Sequence, residues 1–242
     1  MTVRIAFYDL DRTITRLPTW MAFLLFGAAR TAPWRLLLLP AVGLAALART
    51  TGLLSRDRLK ESMHALMLGR TMTVAAETEL AAAYSRLTLV RNVRLGARRR
   101  IAADRKAGYR VVLATAAHRF YAEPIARGLG IADVIATEVT RSPDGALSSR
   151  LFGANVYGEA KLVAVQAWLE RERMPRIKAL IRFYSDHVTD VPCLEFADEP
   201  YVVNPKRRFR VMAEARGWEV LDWNLLEVGE PSDTEIACVQ LS

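Results

Sequence analysis

The sequence predicts an α/β fold, a mostly parallel sheet with crossover helices and an inserted helical module. Three observations carry this expectation. Apolar strand-like runs alternate with helical stretches from Val3 to Val203. Carboxylates and hydroxyls recur where those runs end, the edge at which open parallel sheets bind ligands. A Leu- and Ala-rich segment, roughly residues 15–88, interrupts the alternation and is patterned as helix over Arg56 to Leu68 and Thr73 to Leu87. At 242 residues the chain can bury one main core and carry an insert. The expected division is a core of residues 1–14 and 89–223, a helical insert of 15–88, and a tail of 224–242 with no clear periodicity.

The first strand, Val3-Arg4-Ile5-Ala6-Phe7-Tyr8, runs into Asp9-Leu10-Asp11-Arg12-Thr13. Strand alternation places residues i and i+2 on one side, so Asp9 and Asp11 can face one pocket at the strand exit. Two such carboxylates repel, and a divalent cation or a shared proton relieves them. The plain alternative is a strand end feeding a helix cap. A second apolar strand ends at Thr115, followed by Ala116-Ala117 and a helical run from His118 to Leu129. Gly158-Glu159-Ala160-Lys161 opens a helix toward Arg173, placing an ammonium near its start. A third strand, from Ile181, ends in Asp186, with Asp190 four residues on. A Pro143-Asp144-Gly145 turn between Val139 and Leu151 predicts a small β-hairpin beside the core. Singly, Thr115, Asp186 and Asp190 read as caps and Lys161 as a solvated charge. Jointly they form a set.

That set resembles the haloacid dehalogenase superfamily phosphatases, specifically subfamily IB, which includes phosphoserine phosphatases and bacterial phosphatidylglycerophosphate phosphatases. Asp9, Asp11 and Thr13 match the family's Asp-x-Asp-x-Thr, Thr115 its second motif, Lys161 its third, and Asp186 with Asp190 its acidic pair. The stretch from Ala114 through Ile131 also resembles this subfamily. The resemblance implies a Rossmann-like core and a two-step, Mg²⁺-dependent hydrolysis of a phosphomonoester. In it Asp9 is the nucleophile that becomes an aspartyl phosphate, and Asp11 is the general acid and then base. Thr115 and Lys161 hold the phosphoryl oxygens, and Mg²⁺ is bound by Asp9, Asp11 (through its backbone carbonyl) and Asp186. Asp190 supports the metal site and Thr13 braces the loop. Three departures stand out: Arg12 where a small residue is common, Ala116-Ala117 in place of a Gly pair, and Pro18 where phosphoserine phosphatases carry a substrate-binding Glu.

The insert is expected to form a helical cap that excludes water and sets specificity. Its first half is unusually apolar, and Leu36 to Ala48 carries no polar side chain. As a helix this run covers about 20 Å, short of the roughly 30 Å of a bilayer core. Pro40 and Gly43 would bend it, Arg35 and Arg49 could snorkel, and Trp20 and Trp34 could serve as interfacial aromatics. Two readings stay open: a hairpin dipping into one leaflet, or helices packed in the cap. With 34 Lys and Arg against 26 Asp and Glu, the chain carries a formal charge of +8. Clusters at Arg91, Arg94, Arg98, Arg99 and Arg100, and at Lys206, Arg207, Arg208 and Arg210, suit an anionic lipid surface or a solvated face. No nucleic-acid motif accompanies them.

The expected substrate is therefore a lipid or otherwise hydrophobic phosphomonoester such as phosphatidylglycerophosphate. The rivals are a soluble metabolite such as phosphoserine, and a non-enzymatic interaction protein on the same fold. Cys193 and Cys238 lack metal-ligand spacing and fit a reducing compartment. The expected location is cytoplasmic, with association at the inner face of the membrane. His64, His118 and His187 are expected at the surface or in caps, with substrate contact the alternative for His118 and His187, which lie next to motifs.

Overall fold

The computed structural model describes residues 2–224, so the expected tail lies almost wholly outside the described residues. Eight strands form one sheet in the order β2-β5-β4-β3-β1-β6-β7-β8. The parallel part comprises β1 (Val3–Tyr8), β3 (Arg110–His118), β4 (Asp133–Arg141), β6 (Ala179–Ser185), β7 (Glu199–Val203) and β8 (Glu219–Leu221). The hairpin strand β5 (Leu147–Phe152) and the short β2 (Thr71–Met72) add antiparallel at one edge. The hairpin turn closes where the Ser142 amide donates to the Ala146 carbonyl and the Gly145 amide to the Ser142 carbonyl, as Pro143-Asp144-Gly145 predicts.

Strand β1 shows why the layers form. It lies between β3 and β6, so both of its edges are paired, and helices cover both of its faces. Ile5 and Phe7 point into a cluster with Val165, Trp168, Leu194 and Phe209, while Ala6 and Tyr8 join Ile101, Tyr121 and Ile125 on the other side. A strand buried on both faces reads as a continuous apolar run. The covering helices are α5 (Leu95–Lys106) and α6 (Arg119–Gly128) on one face, and α7 (Glu159–Arg171), α8 (Val191–Phe196) and α9 (Arg207–Ala215) on the other. Phe7 meets Trp168 edge to face at 5.6 Å, and Tyr8 stacks on Tyr184 at 4.3 Å. Beneath that stack the Tyr8 hydroxyl donates to Asp104, whose other oxygen accepts from Arg182 at 2.6 Å.

The insert folds as α1 (Thr19–Thr31), a tight helical turn over Pro33–Leu38, α2 (Leu39–Thr50), α3 (Arg56–Met67), then β2 and α4 (Val74–Arg91). Ser55 and Thr73 cap α3 and α4 by accepting from the Arg58 and Ala76 amides. The two chain crossings between insert and core are tied together. Thr15 pairs with Val93 in an antiparallel bridge, and Arg16 and Arg94 donate backbone bonds to Asn92 and Ile14.

Leu36 to Ala48 is not one bent helix. The chain changes from the tight turn to α2 at Leu39, so Pro40 falls in the first helical turn, where its missing N–H is harmless. Val42 is buried, whereas Leu37, Leu44, Leu47 and Leu53 are each more than half exposed. Arg35 does not snorkel: it donates to the Ala65 and Leu66 carbonyls at the end of α3 and packs over Trp34. The Arg91 to Arg100 cluster is likewise turned partly inward, Arg98 donating to the Leu89 carbonyl and Arg100 to the Tyr184 hydroxyl. Among the described residues no helix is long and apolar enough to cross a membrane.

Trp20, His64 and His118 depart from expectation. All three meet at the seam between α1, α3 and the end of β3, with Trp20 stacked on His118 at 4.4 Å and the two imidazoles 6.0 Å apart. Both histidines are fully buried rather than at the surface, and none of their ring nitrogens has a hydrogen-bond partner among the described residues. Burial pushes His64 down to about 4, and burial with the nearby Lys60 charge holds His118 well below the usual imidazole range. Both are therefore neutral in the fold, while the unfolded chain takes up protons near pH 6.5. Their stabilising contribution is complete above pH 6.5 and falls as the pH drops toward 4, by up to ~3 kcal/mol for His64. Thermal unfolding followed from pH 7 to 4.5 should show a smaller loss in a His64→Leu, His118→Phe variant than in the parent chain.

Candidate active site

The exits of β1, β3 and β6 and the start of α7 converge on a cavity of about 240 Å³, lined by Asp9, Asp11, Thr115, Lys161, Asp186 and Asp190 among others. Every catalytic, binding and metal residue expected from the sequence except Thr13 lines it, and Thr13 lies directly beneath.

Asp9 leaves β1 with its amide bonded to the Tyr184 carbonyl at 3.0 Å, which fixes it against β6. The next turn is wide, and Arg12 within it adopts φ 64°, a left-handed conformation rare for a side chain other than glycine. Strain of this kind persists where surrounding contacts over-determine the loop. Here the Arg12 amide donates to Thr15, and the Asp186 amide donates to Thr13 Oγ1 at 3.0 Å. Thr13 thus braces the first loop against the end of β6. The Arg12 side chain faces the cavity and offsets part of the charge on Asp186.

Lys161 is the cationic centre. Gly158, at φ 59° and ψ −131°, turns the chain into α7 in a conformation reserved for glycine. This aims the buried Lys161 Nζ at Asp9 Oδ1 (2.8 Å) and Asp190 Oδ2 (2.6 Å). Asp190 also accepts from the Ser185 hydroxyl at 2.7 Å. Burial alone would lower the ammonium, but Asp190 and Asp9 reverse that and hold it charged. Burial pushes Asp9 up, against the pull of Lys161, and Asp190 and Asp186 add to the rise. Asp186 is pushed up to about 6 by burial and by Asp190.

Three acids around one ammonium leave a buried excess of negative charge. A hard dication with oxygen ligands fits that deficit. Asp9 and Asp186 both offer carboxylate oxygens to the cavity. The Asp11 carboxylate does not turn toward them, so its share in such a site falls to its backbone carbonyl. Among the described residues no group of three or more acid, His or Cys side chains is placed to hold a metal ion by itself.

Asp11 points instead toward the insert. Its Oδ1 accepts from both the amide and the hydroxyl of Thr19, each at 2.7 Å, at the start of α1. Burial pushes its carboxyl above the usual carboxylate range, and the Thr19 bonds oppose the rise. The acid/base candidate is therefore held by the first helix of the cap. Thr115 Oγ1 accepts from the Ala117 amide at 3.0 Å, which leaves its proton free for the cavity. His187 combines the two expected roles: Nδ1 accepts from the Thr189 amide, capping the turn before α8, while the ring lines the cavity.

Sequence reasoning passed over Thr19, Arg56, Lys60, Asn155 and Tyr157. Arg56 packs over the Tyr157 ring at 3.6 Å at the cavity rim. Lys60 Nζ donates to the Ala116 carbonyl at 2.5 Å and to Asn155 Oδ1 at 3.0 Å, tying α3 to the loop after Thr115. One signal was present. Lys60 shares the buried stripe of α3 with Met63, His64 and Met67, and an ammonium on the apolar face of a helix needs a partner inside.

Comparison with known proteins shows the fold and the family. A crystal structure described as a protein with unknown function from Bordetella pertussis Tohama I superposes with a TM-score of 0.82 at 28% identity, covering 92% of this chain and 100% of that one. A phosphoserine phosphatase captured as a phospho-aspartyl intermediate analogue shares the fold, with a TM-score of 0.58 at 14% identity, covering 91% and 93%. In sequence, phosphoserine phosphatase SerB1 of Mycobacterium tuberculosis is 35% identical over 130 residues, 52% of this chain and 41% of the relative. The histidinol-phosphatase of Neisseria meningitidis serogroup C is 29% identical over 118 residues, 48% of this chain and 53% of the relative. The chain thus spans about half the length of the curated relatives it matches. The family model of the haloacid dehalogenase-like hydrolases matches residues 6–195, and the chain belongs to that family.

Proposed function

We propose that this hydrolase is an Mg²⁺-dependent phosphomonoesterase that works through an aspartyl phosphate on Asp9. The observation that carries the reading is the division of labour between the paired acids. Asp9 is held by Lys161 inside the phosphate-sized cavity, while Asp11, two residues on, is held by Thr19 on the side where a leaving group departs. The printed names of two relatives, a phosphoserine phosphatase and a histidinol-phosphatase, support the same reaction class.

In the first half-reaction a carboxylate oxygen of Asp9 attacks phosphorus as the bond to the leaving oxygen breaks, and Asp11 gives that oxygen its proton. In the second, the Asp11 carboxylate takes a proton from water. The resulting hydroxide displaces phosphate from Asp9 and regenerates its carboxylate. Lys161 and the Thr115 hydroxyl hold the phosphoryl oxygens throughout. Asp9, Asp186 and the Asp11 carbonyl would hold Mg²⁺, which supplies charge neutralisation at those oxygens. Burial pushes the Asp11 carboxyl above the usual carboxylate range, the direction that suits a general acid.

For the substrate, a small polar phosphomonoester is the reading favoured by the relatives' names. A lipid phosphomonoester such as phosphatidylglycerophosphate, met at the inner face of a membrane, is supported by one separate observation. Leu37, Leu44, Leu47 and Leu53 leave a largely uncovered apolar face on the cap, and Leu53 lies three residues before the rim residue Arg56.

Four outcomes are expected. Asp9→Asn should lower kcat by about three orders of magnitude or more and abolish trapping of phosphate on the protein. Asp11→Asn should lower kcat by about 10²- to 10⁴-fold while vanadate or tungstate still binds in calorimetry. Near-parental turnover in Asp9→Asn would overturn the mechanism. Exhaustive EDTA treatment should silence hydrolysis and added Mg²⁺ restore it, and undiminished activity after chelation would remove the metal from the scheme. Flotation with anionic vesicles discriminates the substrate readings. A Leu44→Ser, Leu47→Ser variant should lose flotation with little change in melting temperature if the apolar face meets lipid. A parent chain that never floats leaves the small-metabolite reading.

A further inference from the structure

A second cavity, of about 180 Å³, adjoins the first. The two share Asp11, Arg56 and Ala116, so the second begins where the general acid stands and is the space into which the alcohol half of a phosphomonoester extends. At ~30 Å³ per water-sized group it holds about six such groups. Trp20, Leu59 and Met63 supply apolar walls, and Asn155 and Lys60 supply the polar ones.

Its charge is unusual. Asp11 is the one carboxylate among the lining residues, against the two cations Lys60 and Arg56. Lys60 is deeply buried, and its two hydrogen bonds go to neutral acceptors, the Ala116 carbonyl and the Asn155 amide oxygen. Asn155 Oδ1 is itself occupied by the Thr137 hydroxyl, which also binds the Ala116 carbonyl. An ammonium has three N–H groups, so one remains without a partner among the described residues. Burial lowers Lys60 to about 7, with Asp11 and Asp57 only partly restoring it. A buried cation short of counter-charge is stabilised by an incoming anion and repelled by a second ammonium.

Resting on the phosphomonoesterase reading above, we propose that Lys60, assisted at the rim by Arg56, is the specificity-determining residue of this chamber. It recognises an anionic oxygen carried by the alcohol half of the substrate, a carboxylate or a second phosphate, within a few atoms of the ester. The absence of a carboxylate other than Asp11 among the chamber's lining residues selects against alcohols whose only charge is an ammonium. Phosphoserine contains this chemistry as a carboxylate and phosphatidylglycerophosphate as a phosphodiester, whereas histidinol phosphate lacks it.

The test is a kcat/KM comparison with Mg²⁺ among two-carbon phosphomonoesters of one size: phosphoglycolate, ethyl phosphate and phosphoethanolamine. A short-chain, water-soluble phosphatidylglycerophosphate serves as the phosphodiester arm. Phosphoglycolate, the phosphodiester arm or both should exceed ethyl phosphate by tenfold or more, with phosphoethanolamine lowest, and which of the two leads identifies the source of the anion. Lys60→Met should reduce that anion-to-neutral ratio about tenfold, Lys60→Arg should restore part of it, and Arg56→Gln should reduce it less. Should Lys60→Met fail to fold, the parent ranking and the Arg56→Gln ratio still decide. Equal rates across the series, a preference for phosphoethanolamine, or a ratio unmoved in a folded Lys60→Met overturns the proposal while leaving the phosphatase reading in place. A parent enzyme that hydrolyses ethyl phosphate and every other ester at background rate overturns both.

Discussion

The buried bridge from Lys161 to Asp9 and Asp190 is the constraint on which the rest of the site depends. It joins the exit of β1, the start of α7 and the turn after β6 through one ammonium with two carboxylate partners. Removing either kind of charge would leave the other uncompensated in a dry setting, which is far more destabilising than the intact pair is stabilising. Gly158 in its glycine-only conformation, Ser185 on Asp190 and the Tyr184 carbonyl on the Asp9 amide are all arranged so that this bridge forms. The same bridge leaves Asp186, which Arg12 and Lys161 offset only in part, and the far oxygen of Asp9 facing the cavity.

The second organising feature is that the cap is wired to the chemistry and not merely laid over it. Thr19, the first residue of α1, holds Asp11 with two short bonds, and Lys60 on α3 holds the carbonyl just after Thr115. A movement of the insert about its paired crossings at Thr15 and Val93 would therefore disturb Asp11 and the end of β3 after Thr115 together. The seam itself is aromatic, with Trp20 and Phe23 of the insert stacked on His118 and Tyr121 of the core. Such stacking gives a close fit with little directional polarity. The unpartnered imidazoles there tolerate burial because they stay neutral.

Which features were legible in the chain follows from how local their causes are. Asp9, Asp11, Thr115, Lys161, Asp186 and Asp190 could be placed because each sits at the end of a strand or the beginning of a helix. A parallel sheet brings all those ends to one edge whatever the details of packing. The helices α3 and α4 and the Pro143 to Gly145 hairpin were legible for the same reason, their period and turn residues being local signals. The expected surface placement of His64 and His118 and the interfacial role of Trp20 failed because burial is decided by what arrives from distant parts of the chain. Arg35 failed likewise, since its partners at Ala65 and Leu66 are some thirty positions away.

By itself, then, the sequence determined the alternation of strand and helix, the catalytic edge and the chemical identity of the groups on it, because these depend on side-chain period and on the strand termini. Tertiary structure alone decided that the Asp11 carboxylate turns to Thr19 and away from the cation cavity, that Lys60 enters the chamber beside it, and that α2 exposes its leucines. Each of those outcomes depends on contacts between an inserted module and a core joined only at Thr15 and Val93. No local pattern reports which face of the one meets which edge of the other, since the free energy that chooses is that of burying both surfaces at once.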